Sequence, residues 1–163
     1  MHEASVTREI HAEKAAVWAA LDDFGGIDKY AADLEQSRII DGPETGMGAV
    51  RECNFADGPR VQEKIIEYEP ESSYTIEIID PGDLPLKESY TTMSVEAVDD
   101  TRTKVTWTNR FTPRFGPLGW LMVKLMMTSK VKKNLASGLD GLDRYVTEGQ
   151  SGQQSDRAEA GTD

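Results

Sequence analysis

The chain has 163 residues, of which 29 are acidic and 18 are basic, so its formal net charge is −11. This length suits one domain with its own hydrophobic core. The excess of negative charge opposes binding to nucleic-acid phosphates and to anionic membrane surfaces. We therefore expect a single-domain protein with no nucleic-acid partner.

The first predicted elements are one strand and one helix. Apolar and polar residues alternate over Ser5–Ile10, which is typical of a half-buried strand, and the apolar spacing over Ala12–Leu21 indicates a helix. The pair Gly25-Gly26 then ends this helix. The chain thus opens with a strand and a helix ahead of a long run of strands.

The middle of the chain consists of strands and turns. Turn signals such as Asp41-Gly42-Pro43 separate six segments with strand character. These segments are Asp33–Ile40, Ala49–Phe55, Arg60–Glu69, Ser73–Asp80, Leu86–Val98 and Thr103–Thr112. Because the connections are short, we expect consecutive strands to be antiparallel neighbours.

A long helix is predicted near the C-terminus, beginning close to Pro117. Its apolar residues recur at helical spacing, which predicts one face directed at the sheet. They are Leu118, Leu121, Met122, Leu125, Leu135, Leu139, Leu142 and Val146. Beyond Val146 the chain is polar and lacks apolar periodicity. We therefore predict a folded domain over residues 1–146 and a disordered acidic and polar tail over 147–163.

Signals for export, membrane insertion and cofactors are missing from the sequence. A lone Cys53 cannot form an internal disulfide, and the apolar stretch Leu118–Met127 falls short of the roughly 20 residues that span a bilayer. His2, His11 and Cys53 lack the spacing of a zinc site, and no phosphate-binding or dinucleotide-binding glycine motif occurs. We therefore predict a cytoplasmic protein with no integral membrane segment, no metal and no cofactor.

Alternation along the strands predicts which side chains face the long helix. On the last strand, Trp107, Asn109 and Phe111 share one face. Applied to the other strands, the same rule directs a mixed set of residues inward: the polar Arg51, Glu63, Lys87, Ser89 and Asn109, and the apolar Tyr74, Ile76 and Met93. Burial of an unpaired charge costs several kcal/mol. The polar groups must therefore pair with one another, with water or with a ligand.

The order of several short motifs resembles a known superfamily. The motifs are Val6–Ala12 followed by Val17-Trp18, Gly46-x-Gly48 with Arg51, Asp57-Gly58 before Val61 and Glu63, Glu69-Pro70 to Tyr74, and Val105-x-Trp107. Over about Val6–Tyr145 the chain resembles the START-like superfamily (SRPBCC or Bet v 1-like), especially its bacterial polyketide cyclase/dehydrase-type branch. The resemblance implies an α+β helix-grip fold, with a curved seven-stranded antiparallel sheet wrapped around a long C-terminal helix and short helices after the first strand. It also implies a cavity for an apolar small molecule.

Alternation and resemblance together define the candidate ligand-binding residues: Arg51, Glu63, Tyr74, Ile76, Lys87, Ser89, Met93, Trp107, Asn109, Phe111, Met122 and Met126. Glu63, paired with Arg51 or Lys87, could anchor a polar ligand group or exchange a proton, or it could form an ion pair at the cavity rim. Ser89 and Asn109 could orient a ligand or satisfy each other. Methionines on the helix suit a surface that repacks around different apolar ligands.

Two loops are predicted to border the mouth of this cavity. One contains Gly25 and Gly26, and the other contains Leu84 and Pro85. Both combine a flexible or preset backbone with apolar side chains, which is typical of functional loops. We predict that they gate the cavity.

Three functions fit this sequence. The first is binding, sequestration or transport of a lipid, isoprenoid, aromatic or polyketide-like compound by a monomer or weak homodimer. The second is a cyclase or dehydratase-type enzyme in which Glu63, helped by Arg51, moves a proton without a metal. The third is an interaction module in which the apolar segment Phe115–Met127 contacts another protein, a second copy or a lipid surface. The nearby cluster of Lys130, Lys132 and Lys133 is interpreted as a solvated helix face.

Overall fold

A computed structural model describes the backbone of residues 1–114, 116 and 120–159, and the side chains of residues 1–114, 116 and 126–150. The elements are β1 (His2–Ile10), α1 (Lys14–Asp22), a 3-10 helix (Phe24–Lys29), β2 (Leu34–Asp41), β3 (Val50–Phe55), β4 (Arg60–Glu69), β5 (Ser73–Asp80), β6 (Leu86–Asp99), β7 (Arg102–Pro113) and α2 (Trp120–Glu159). The bounds of β4 and β5 are those predicted from the sequence. In contrast, β1 begins at His2 rather than at Ser5.

The seven strands form one sheet in the order β1-β7-β6-β5-β4-β3-β2. Each neighbouring pair is antiparallel, and the pairing of β1 with β7 brings the two ends of the strand series together. The short turns predicted from the sequence account for the other five pairings, because a tight turn places consecutive strands side by side. The predicted α+β helix-grip fold is confirmed.

Helix α1 and the 3-10 helix pack against the sheet. Helix α1 begins at Lys14 rather than at the predicted Ala12, whose backbone N–H donates to the Ile10 carbonyl in a turn. Its buried residues include Val17, Trp18 and Leu21. The glycine pair ends the α-helical region as predicted, but it lies in the 3-10 helix rather than in an open loop.

Helix α2 covers the edge of the sheet formed by β1 and β7. Leu139, Leu142 and Val146 are buried in the core, as the helical stripe predicted. Arg8 on β1 pairs with Asp140 and Asp143 on the same helix, with Arg8 Nε 2.7 Å from the Asp143 carboxylate. The first half of the predicted stripe, Leu118, Leu121, Met122 and Leu125, lies outside the described side chains.

The core ends before the chain does. Val146 is the last described residue in the buried cluster, although the backbone of α2 continues to Glu159 and thus into the segment for which we predict disorder. The boundary at residue 146 and the disordered tail over 147–163 stay predictions. Among the described residues, none of the helices is both long enough and apolar enough to cross a bilayer.

Candidate functional site

The inner face of the sheet, defined as the face covered by α1 and α2, carries rows of side chains that run across the strands. Cross-strand pairing generates three central rows: Arg51, Glu63 and Ile78 in the first; Ile65, Ile76, Thr91 and Asn109 in the second; Tyr74, Met93 and Trp107 in the third. Two polar groups therefore lie on opposite sides of β5, with Ile76 and Ile78 between them. Most of the other buried side chains in these rows are apolar.

The first polar group is a buried ion pair. The guanidinium of Arg51 contacts Glu63 through Nε at 2.7 Å and through Nη2 at 2.6 Å, and both contacts go to the same oxygen, Oε2. The remaining nitrogen, Nη1, donates to the Phe24 carbonyl at 2.8 Å, and the Phe24 ring lies 4.1 Å from the guanidinium carbon. All three nitrogens of Arg51 are thus occupied. The second carboxylate oxygen of Glu63, Oε1, receives no hydrogen bond from the described residues.

Electrostatics keep Arg51 charged. Burial lowers the pKa of Arg51, but the negative charge of Glu63, together with smaller contributions from Cys53, Tyr74 and Tyr30, outweighs burial, so the pKa lies above its usual value. The side chain of Arg51 is 2% exposed and that of Glu63 is 14% exposed. A guanidinium at this position needs its carboxylate partner, because a buried unpaired charge is costly. Glu63 is therefore held in place with one oxygen still available.

The second polar group centres on Asn109. Its side-chain amide donates to Thr91 Oγ1 at 2.7 Å and to Ser89 Oγ at 3.0 Å. Both Ser89 and Asn109 are buried. The cluster therefore satisfies its own amide donors, which is one of the two roles that the sequence left open.

The third row joins the aromatic core to α2. Tyr74 donates its hydroxyl to the Leu21 carbonyl at 3.2 Å and lies 3.0 Å from the sulfur of Met93. Burial is the main cause that raises the pKa of Tyr74 above its usual value. Trp107 packs directly on α2, since a Cβ added to Gly138 would lie 2.4 Å from the indole ring. The contacts with Leu21 and Met93 thus hold Tyr74 in place, and the contact with α2 holds Trp107 in place.

The indole N–H of Trp107 differs from these groups because it forms no hydrogen bond with the described residues. Trp107 is 5% exposed, and its Nε1 atom is buried with no hydrogen-bond partner among the described residues. Buried donors in native proteins almost always have a partner. Within the described residues, the indole N–H of Trp107 is thus a buried donor without a partner, and Oε1 of Glu63 is an acceptor that receives no hydrogen bond.

The sequence matches a family model described as polyketide cyclase/dehydrase and lipid transport over residues 1–147. This protein belongs to that family. The match extends over the whole of the predicted domain and confirms the membership in the START-like, or Bet v 1-like, superfamily that the motifs indicated. A search among curated proteins yields no match.

Solved structures share the fold of this polyketide cyclase/dehydrase family member at low sequence identity. An uncharacterised protein from Bacillus thuringiensis has a TM-score of 0.75 and 20% identity, covering 90% of this chain and 99% of that chain. The aromatase/cyclase ZhuI from Streptomyces sp. R1128 has a TM-score of 0.73 and 16% identity, with coverages of 90% and 93%. Norcoclaurine synthase from Thalictrum flavum, in complex with dopamine and hydroxybenzaldehyde, has a TM-score of 0.69 and 19% identity, with coverages of 90% and 87%.

Two of the residues predicted to face inward do not. Lys87 is exposed because the pairing of β6 with β7 shifts by one residue between Leu86 and Glu88, and this irregularity breaks the alternation. Met126 is 72% exposed, since it lies on the side of α2 opposite Leu139. The inward orientation predicted for both is therefore wrong. Met122 lies outside the described side chains.

The remaining site residues lie on the inner face as predicted. Ser89, Asn109, Phe111, Tyr74, Ile76, Met93, Trp107 and Arg51 are buried, and Glu63 is half-buried. Their contact with a ligand stays a prediction. Sequence reasoning missed Phe24, whose carbonyl and ring both contact Arg51. Nothing in its local sequence marks it, because the contact joins residues that are 27 positions apart.

The two predicted gate loops differ in packing. Gly26 is buried in the 3-10 helix, and a Cβ added to Gly25 would lie 3.1 Å from the Ile39 side chain, so this segment is packed against β2. Leu84 is half-buried and packs against the core, and Pro85 is half-buried. The gating role of both loops stays a prediction.

The described residues do not form a metal-binding cluster. Within the described part of the chain, no three or more His, Cys, Asp or Glu side chains are grouped so that they could hold a metal ion. The carboxylate of Glu63 instead faces the guanidinium of Arg51.

Proposed function

We propose that the protein binds an apolar small molecule between the inner face of the sheet and α2, in order to sequester or carry it. The observation that carries this proposal is the indole N–H of Trp107, which is buried and has no hydrogen-bond partner among the described residues. A buried donor without a partner costs about 1–3 kcal/mol. A carbonyl, ether or hydroxyl oxygen of a ligand would remove this cost.

The character of the inner face indicates the chemical class of the ligand. Apolar side chains such as Ile76, Met93 and Phe111 supply affinity in proportion to the apolar area that they bury, at about 25 cal/mol per Å². Glu63 Oε1 can accept a hydrogen bond from a hydroxyl or amine group. The ligand that fits is mostly apolar and carries one acceptor for Trp107 and one donor for Glu63.

Ligand capture from the native host tests this proposal. The wild-type protein is purified and denatured, and small molecules enriched in it are quantified by mass spectrometry. Trp107→Phe keeps an aromatic ring but removes the N–H, and the loss of one hydrogen bond should lower occupancy by about three- to tenfold. Trp18→Phe is the matched control, because Trp18 is also buried but packs against Tyr68 and Tyr74 on the side of α1. Equal occupancy in all three proteins, or an empty wild-type protein, would contradict the proposal.

A second candidate function is favoured by the geometry of Glu63. Arg51 holds Oε2 and leaves Oε1 open, so the carboxylate could accept a proton from a bound substrate during cyclisation or loss of water. Similar folds occur in an aromatase/cyclase and in norcoclaurine synthase. Glu63→Gln separates the two functions, since a carrier should retain most of its ligand whereas an enzyme should bind substrate and cease turnover.

A further inference from the structure

Charge is distributed unevenly along the chain. Between Asp100 and Asp140 the sequence contains no acidic residue, although it contains eight of the 18 basic ones. These are Arg102, Lys104, Arg110, Arg114, Lys124, Lys130, Lys132 and Lys133. All 29 acidic residues and the other 10 basic residues lie elsewhere, which leaves that remainder with a charge of −19. The segment between Asp100 and Asp140 thus forms a basic region that carries +8 by sequence, although Arg102 and Lys104 pair in the structure with Glu9, Asp99 and Glu96.

Helix α2 presents part of this basic region to solvent. Met126, Lys130 and Lys133 follow one another at i, i+4 and i+7, so they share one side of the helix. All three are exposed, Met126 by 72%. Leu139 and Leu142 point to the opposite side and are buried in the core. We call the side formed by Met126, Lys130 and Lys133 the basic face.

The residues around the basic face are of the types that bind an anionic lipid surface. By sequence, the ten residues of Leu118–Met127 contain one charge, the positive Lys124, and include Trp120. Lysines next to Leu, Met and Trp on a helix are typical of segments that lie in the membrane interface. An acidic protein or the acidic part of a second copy would satisfy the lysines, but neither requires the long exposed apolar side chain of Met126.

The negative net charge does not prevent such contact. Ionic screening acts over about 8 Å at physiological salt, so a charge several times farther from the membrane has little effect. The first acidic residues of α2 after the basic face, Asp140 and Asp143, are paired with Arg8. Our expectation from net charge alone, that anionic membranes repel the protein, therefore does not apply to the basic face.

We propose that the basic face of α2 docks the protein onto an anionic membrane surface. Docking brings α2, which covers the inner face, next to a reservoir of apolar molecules. Docking uses the outer side of the helix, so it does not depend on whether the inner face holds the ligand proposed above.

Vesicle flotation with the full chain tests docking. The probes are vesicles of phosphatidylcholine alone and vesicles with about one third phosphatidylglycerol. We expect binding to the anionic vesicles at about 50 mM salt, loss of most of it at about 500 mM, and none to phosphatidylcholine alone. Lys130→Glu with Lys133→Glu should lower the bound-to-free ratio by at least about tenfold.

A matched double variant controls for total charge. Lys64→Glu with Lys87→Glu makes the same change at two exposed lysines on the sheet, outside the basic region, and should retain wild-type binding to within about twofold. Met126→Ala should weaken binding without changing its salt dependence. The proposal is overturned if wild-type protein fails to float with anionic vesicles, or if the two double variants lose binding equally. It is also overturned if size-exclusion chromatography shows that the basic face instead forms a dimer, abolished by Lys130→Glu with Lys133→Glu while vesicle binding is unchanged.

Discussion

The Cys53 thiol lies beside the buried ion pair, with Sγ 3.8 Å from Glu63 Oε2 and 3.8 Å from Ser37 Oγ. Burial, and next the negative charge of Glu63, raise the pKa of the thiol to about 12. Since the folded pKa exceeds the unfolded value, the stability linked to this group is fully present below the unfolded pKa. It is lost as the pH rises toward the folded value.

This pKa predicts the reactivity of Cys53. The thiolate is the nucleophile, so at pH 8 the native thiol should react with a disulfide reagent about a thousandfold more slowly than the same thiol in denaturant. Glu63→Gln removes the neighbouring negative charge and should accelerate labelling, provided that circular dichroism shows a native fold. Labelling of the folded wild-type protein at the rate of an ordinary thiol would contradict this prediction.

Close packing between α2 and the rest of the fold depends on two glycines. A Cβ added to Gly141 would lie 1.9 Å from the Tyr30 backbone oxygen, and one added to Gly138 would lie 2.4 Å from the Trp107 ring. Glycine inside a helix costs about 1 kcal/mol relative to alanine. The two glycines therefore lower the intrinsic stability of the helix, but they allow its backbone to lie close to the sheet and to the 3-10 helix.

Two alanine substitutions in α2 should consequently have opposite effects. Gly141→Ala should lower the free energy of unfolding by about 1–3 kcal/mol, because its neighbour is backbone and cannot move aside cheaply. Gly149→Ala should raise it by up to about 1 kcal/mol, since α2 is helical at this position and, apart from the helix's own backbone, no described atom lies within 4 Å of the added Cβ. No change would instead agree with the disordered tail predicted from the sequence. Urea denaturation measures both values. A stabilising Gly141→Ala would show that this approach is looser than the structure indicates.

At the scale of the whole molecule, the extent of the folded domain can be tested by truncation. A chain that ends at Gln150 retains Val146, the last described residue of the core. If the deleted residues 151–163 are disordered, as predicted for the whole tail over 147–163, the truncated chain should melt within about 2 °C of the full chain. A loss of more than about 1 kcal/mol of stability would show that the deleted residues pack. The cytoplasmic location, the lack of a nucleic-acid partner and the monomeric or weakly dimeric state also stay predictions.

Local sequence patterns predicted the secondary-structure elements well, because turn residues and the spacing of apolar residues act over a few positions of the chain. The bounds of β4 and β5 are the predicted ones, and alternation along β7 correctly placed Trp107, Asn109 and Phe111 on one buried face. The same rule was wrong for Lys87, where a register shift breaks the alternation. Alternation cannot detect such a shift, because the partner strand rather than the local sequence decides the register.

The sequence by itself determined the seven strands, the long helix, the superfamily and the inward position of Arg51 and Glu63, since each depends on local periodicity or on motif order. Only the tertiary structure decided that Arg51 uses a single oxygen of Glu63 and the distant Phe24 carbonyl, and that Trp107 retains a buried N–H without a described partner. It also decided that Met126 points outward. These features depend on distances between elements far apart in the chain, and such distances result from packing rather than from any local pattern.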